Sequence, residues 1–112
     1  MLSNLPSLVA RFVDASNLRD LDLFVSCFAT AAVVEDEAQT HRGIDEIREW
    51  KRQTEHRYSY TTEPVHLIER DARTILTATL TGDFPGSPAN LTYEFTIADD
   101  AITALSIRPE RP

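Results

Sequence analysis

Thr74-Ile75-Leu76-Thr77-Ala78-Thr79-Leu80-Thr81 decides the fold class. Leu76, Ala78 and Leu80 fall on one face, and Ile75, Thr77, Thr79 and Thr81 on the other. That is the period-two pattern of a strand with one buried side. The period holds in both directions. Upstream, residues 58–68 read as a long strand with a bulge expected at Pro64, because proline cannot donate to a ladder, and residues 69–73 read as a turn. Downstream, residues 82–88 carry Gly82, Pro85, Gly86 and Pro88 and read as a loop. Residues 90–98 put Leu91, Tyr93, Phe95 and Ile97 on one face. Asp99 and Asp100 then turn the chain into a last strand over 102–108.

The first half has a helical period. Leu5, Leu8, Val9, Phe12 and Val13 recur at helix spacing, behind Ser3 and Asn4 as cap candidates and Pro6 in the first turn, with the helix ending near Asn17. Asp20 can cap a second helix with Leu21, Phe24, Val25 and Phe28 on one face. Residues 32–37 then read as a strand. Gly43 opens a third helix, with Ile44, Ile47 and Trp50 inward and Asp45 and Glu46 in its first turn, where the helix dipole favours acids. Helices before a meander of strands predict an α+β domain with its helices on one face of a mostly antiparallel sheet.

The chain has 112 residues, and 1–112 is read as a single domain. Its net charge of −7 comes from 18 acids against 11 bases, and ten scattered arginines with the single lysine Lys51 form no basic patch. Nucleic acid and anionic membrane surfaces are therefore excluded as expected partners. No apolar run is long enough to span a bilayer and no signal peptide is visible, so a cytoplasmic location is expected. Cys27 stands alone among Phe24, Val25 and Phe28 and reads as a buried structural thiol. His41, His56 and His66 show no helical metal spacing, and strand alternation splits Glu35-Asp36-Glu37 between faces, so no metal site is expected. Three glycines make no phosphate loop, and no Ser or Cys sits in an activating motif.

Val9-Ala10-Arg11-Phe12-Val13, Asp20-Leu21-Asp22, Phe28-Ala29, Val34-Glu35-Asp36 and Gly43-x-x-x-Ile47-Arg48-Glu49-Trp50 occur in the order and nearly the spacing of ketosteroid isomerases. They also resemble the SnoaL-like polyketide cyclase group, both within the nuclear transport factor 2-like superfamily. About the first fifty residues carry the likeness; the second half shares only its strand pattern. The resemblance implies a cone, in which a strongly curved, mostly antiparallel sheet wraps three helices and leaves an apolar pocket at its wide end. It also implies a proton-transfer base at Asp36. The isomerases' two enolate donors are a tyrosine and an aspartate that its apolar setting keeps protonated. Those positions match Phe12 and Tyr93 here. Their supporting tyrosine matches Lys51, which is expected at the solvent face of the third helix. Members often dimerise through the outer sheet face.

Physics gives Asp36 an independent argument. With Val33, Glu35 and Glu37 facing solvent, Val34 and Asp36 point at the helices, and an inward carboxylate must be paired, hydrogen-bonded or protonated. Such a group suits general acid–base work. The other reading pairs it with Arg42 or Arg48. Tyr93, between Leu91 and Phe95, is a candidate donor to a ligand oxygen or a core tyrosine with its hydroxyl at the rim. Phe12, Val34, Trp50 and Phe95 are the expected pocket wall. His66, on the face of Tyr58, Tyr60 and Ile68 if no bulge intervenes, is a candidate acid–base partner of Asp36.

Two functions follow. One is a cofactor-independent isomerase, cyclase or dehydratase acting next to a carbonyl of an apolar small molecule, with Asp36 as base and Tyr93 as donor. Steroid isomerisation itself is not expected, because Phe12 offers a ring where the enolate needs a hydroxyl. The other is a non-catalytic ligand-binding or interaction module on the same fold. A homodimer is expected through the face bearing Ile75, Thr77, Thr79, Thr81, Thr92, Glu94 and Thr96, which is β-branched and nearly free of charge.

Overall fold

Two tight turns fold the second half onto itself in the computed structural model, which describes residues 5–36 and 38–110. Asp71 and Ala72 have φ of 52° and 64°, and Asp99 and Asp100 of 53° and 60°. Consecutive left-handed residues make the two-residue turn whose twist matches paired strands. They join β3 (Tyr60–Arg70) to β4 (Arg73–Gly82) and β5 (Ala89–Ala98) to β6 (Ala101–Pro109). The segment expected to turn over 69–73 thus turns on only two residues.

The first half holds α1 (Ser7–Leu18), α2 (Leu21–Ser26), β1 (Phe28–Asp36), β2 (Gln39–Arg42) and α3 (Gly43–Arg57). The six strands form one sheet in the order β2-β1-β6-β5-β4-β3, antiparallel except for the β1–β6 pair. The architecture is α+β. The strand expected over 32–37 begins four residues earlier, at Phe28. The edge strand β2 was not expected, because four polar or charged residues carry no apolar alternation. Ser3, Asn4 and Glu37 lie outside the described residues.

Local chemistry ends the helices where the chain must turn. Arg19 takes a left-handed conformation (φ 57°), and its N–H bonds back to the carbonyl of Ser16. The Asp20 Oδ1 accepts the Leu23 N–H at 3.1 Å, capping α2 as expected. Asp45 and Glu46 occupy the first turn of α3 and His56 and Arg57 its last, matching the dipole at both ends. The Asn17 side chain bonds both backbone groups of Thr62, donating to its carbonyl at 2.9 Å and accepting its N–H at 2.7 Å. That pair ties the end of α1 to edge strand β3.

The core lies between the helices and one face of the sheet. Val34, Leu76, Ala78, Phe95, Ile102 and Leu105 are fully buried beneath Val9, Phe12, Phe24 and Ile47. On the opposite face, Glu94 takes an ion pair from Arg73 at 2.6 Å and from Arg108 at 3.1 Å, clamping β4, β5 and β6 together. No helix among the described residues is long and apolar enough to cross a membrane.

Gly82 is a packing requirement. A Cβ there would collide with the Ser59 carbonyl oxygen and lie 2.6 Å from Tyr60 Cβ. Both neighbours are held by the backbone, so neither can give way cheaply. Gly82→Ala is expected to lower the unfolding free energy by more than about 2 kcal/mol, read by urea denaturation. Wild-type stability in that variant would mean that the β3–β4 approach is slack.

Candidate functional site

Strand β1 carries its side chains in alternation. Val34 is fully buried, Glu35 is exposed, and Asp36 is half-buried on the face of Val34. The Trp50 Nε1–H donates to Asp36 Oδ2 at 3.2 Å. Of the two arginines considered as its partners, Arg48 binds Asp22 at 2.8 Å. Asp36 also lines a surface cleft of about 290 Å³ with Gln39, Thr40, Ser106 and Ile107. The carboxylate stands between an apolar interior and a polar opening.

The walls expected from sequence are brought together, as packed rings. Phe12 lies 5.1 Å from Phe24, 5.9 Å from Tyr93 and 5.1 Å from Phe95, the last two edge-on. Phe24 reaches Trp50 at 6.1 Å. Edge-to-face geometry is favourable beyond the area buried. Phe12, Val34 and Phe95 are core side chains here, and the cleft at Asp36 is lined by other residues.

Tyr93 is buried on β5, opposite Leu76 on one side and Ile107 on the other. Burial pushes its phenol well above the usual range, and the neighbouring Tyr60 and Asp36 push it the same way. Raising the cost of a phenolate keeps the proton on oxygen, so Tyr93 is a donor under all ordinary conditions.

Two expectations are corrected. His66 does not join Asp36. The bulge at Pro64 shifts the register so that His66 pairs with Thr77, which places it exposed on the outer face with Ile75 and Thr79. Lys51 is not at the solvent face of α3. It is 3% exposed, and its Nζ donates to Ser16 Oγ at 2.9 Å and Tyr60 Oη at 2.8 Å, with the Phe24 ring 4.8 Å away. Its position explains this: Lys51 is four residues after buried Ile47 and so shares its face.

His41 was also missed. It lies on β2 opposite Val34, stacks on Trp50 at 5.5 Å, and buries an Nε2 that has no hydrogen-bond partner among the described residues. Its ring braces the indole that holds Asp36. Only pairing through β2 brings it there, and β2 had no readable signal. Cys27 is buried, and burial pushes its thiol up, which disfavours the reactive thiolate. Among the described residues, no group of three or more His, Cys, Asp or Glu side chains is placed to hold a metal ion.

Residues 9–105 match the model of the SnoaL-like domain family. A candidate polyketide cyclase from Sinorhizobium meliloti has a similar structure, with TM-score 0.89 and 38% identity over 93% of this chain and 95% of that one. A protein of ketosteroid isomerase-like fold from Catenulispora acidiphila, solved with trimethylamine, is 17% identical over 94% of this chain and 86% of its own, with TM-score 0.83. An LEH-like epoxide hydrolase from M. tuberculosis is 16% identical over 93% and 80%, with TM-score 0.77. These last two share the fold. No functionally curated protein matches the chain in sequence.

Proposed function

We propose that this chain, which belongs to the SnoaL-like domain family, moves a proton next to a carbonyl of an aromatic or otherwise apolar ketone, without a cofactor. The observation that carries this reading is the placement of Asp36. It sits at the edge of the apolar core, held by an indole N–H and open to a cleft. A carboxylate so placed can take a proton from carbon, and the indole N–H of Trp50 orients it. Tyr93, kept protonated by burial, supplies a donor to the oxygen on which charge develops. Similarity to a candidate polyketide cyclase supports ketones of the polyketide type and ring closure by attack of the carbanion on a second carbonyl.

The test is deuterium uptake next to the carbonyl in a panel of bicyclic aryl ketones such as α-tetralone, followed by mass spectrometry. Uptake above the buffer rate is expected. No acceleration with any member of the panel would reject the reading. The dense packing around Phe12 favours a second reading, a binding module that holds an apolar ligand without turning it over. Saturable binding with no exchange would select it.

We further propose that two copies pair through the outer sheet face. Ile75, Thr77, Thr79 and Thr92 are half-buried there, and the Glu94 charge is already met by Arg73 and Arg108. Sedimentation equilibrium at micromolar concentration should give twice the chain mass. Thr77→Arg should give the single mass, because it sets an unpaired charge in the middle of the face. A wild-type monomer would overturn the pairing.

A further inference from the structure

The edge strand β2 adds little to the core. Gln39, Thr40 and Arg42 are exposed, and His41 is its one half-buried side chain. His41 lies opposite Val34, so its ring sits on the inner face of the sheet, the face that Asp36 shares. What the strand brings to the inside of the molecule is one imidazole.

That imidazole meets the indole of Trp50. The two rings stack, with centroids 5.5 Å apart and planes 29° from parallel. Phe24 touches the same indole at 6.1 Å, but tilted by 48°. Trp50 is only half-buried on α3, so the core encloses part of its ring and leaves the rest to β2. The indole Nε1–H reaches Asp36 Oδ2 at 3.2 Å, the long end of the range for such a bond. A bond of that length weakens steeply if the indole plane rotates. The His41 Nε2 is buried and has no hydrogen-bond partner among the described residues. The imidazole is therefore not anchored through that atom, and what it offers the indole is a flat face. An aliphatic side chain would fill the space without burying a polar atom, but would present no plane to stack on.

We propose that His41 is a positioning residue: by stacking on Trp50 it sets the plane of the indole, and with it the direction from which the indole N–H meets Asp36. His41 itself exchanges no proton with substrate. The inference rests on the proton-transfer reading for its effect on rate, because displacing a reacting group by about 1 Å can cost on the order of 100-fold.

The test starts from Trp50, the only tryptophan in the chain, which gives a single indole N–H resonance in the proton NMR spectrum. His41→Ala should speed the exchange of that proton with solvent by about tenfold or more, as expected when one hydrogen bond opens. His41→Phe, which restores a flat ring and has no polar atom to bury, should return the exchange to the wild-type rate. In the ketone assay, His41→Ala should lower kcat by about ten- to 100-fold at nearly constant KM, and His41→Phe should recover most of it. The two readings fail separately. A wild type that turns over no ketone, with an indole proton that responds as described, removes the proton-transfer reading and leaves the positioning intact. If His41→Ala fails to fold, His41→Leu, which keeps bulk but lacks the plane, takes its place. A lower melting temperature with the indole proton unmoved would mark a merely structural ring and overturn the proposal, as would a His41→Phe that behaves like His41→Ala.

Discussion

Asp36→Asn is expected to lower the rate of proton transfer by about 10²–10⁴-fold, the range that a positioned base supplies. The amide keeps the size of the carboxylate. Its carbonyl oxygen can still accept the Trp50 N–H, so the 3.2 Å contact and the fold around it should survive. Substrate affinity should change little, because the lost interaction belongs to the transition state. The expected pattern is a reduced kcat at nearly constant KM. A fall in both affinity and thermal stability would instead show that Asp36 holds β1 in place. Full activity in the variant would move the base elsewhere, with His41, stacked on Trp50, the next group to change.

Phe24→Ala should have the largest effect on stability. Phe24 is 1% exposed and joins the rings of Phe12, Phe28 and Trp50 at 5.1, 5.3 and 6.1 Å. Truncating a buried phenylalanine costs about 3–5 kcal/mol, out of a total of about 5–15 kcal/mol for a domain. The melting temperature should fall by roughly 10–30 °C. Lys51 would also lose one of the ring faces that cage its ammonium. Leu18→Ala, at a side chain 71% exposed, is the control and should be nearly silent. A small effect at Phe24 would mean that neighbouring rings collapse into the space.

The sheet was legible because alternation survives burial. Leu76, Ala78 and Leu80 face the core as their spacing says. Asp20 announced its helix because a cap is a local interaction within four residues. The site was legible only where it lies on such patterns, as Asp36 does beside Val34. Lys51 was misread by its chemistry: its place four residues from Ile47 pointed inward, but an ammonium is expected in water. Pro64 signalled a bulge, yet which face His66 would take after it depends on one unpaired residue. Tyr60 and His41 acquire meaning only from partners distant in the chain, Lys51 for one and Trp50 for the other. No single segment contains that information.

The one parallel pairing in the sheet governs how the molecule assembles. β3 to β6 can zip from neighbouring hairpins, with each contact made across a short loop. β1 must instead find β6 across a span of about 70 residues, as Phe28 pairs with Ile102, and long closures slow folding. Until it docks, the inner edge of β6 stays open, and Asp36 lacks its neighbour Ile107 on β6. An open edge of this kind is a template for foreign strands. Refolding should therefore have its slow step, and its greatest tendency to aggregate, at the stage when β1 adds to a meander already formed, so the half of the molecule that bears Asp36 is the last to become native.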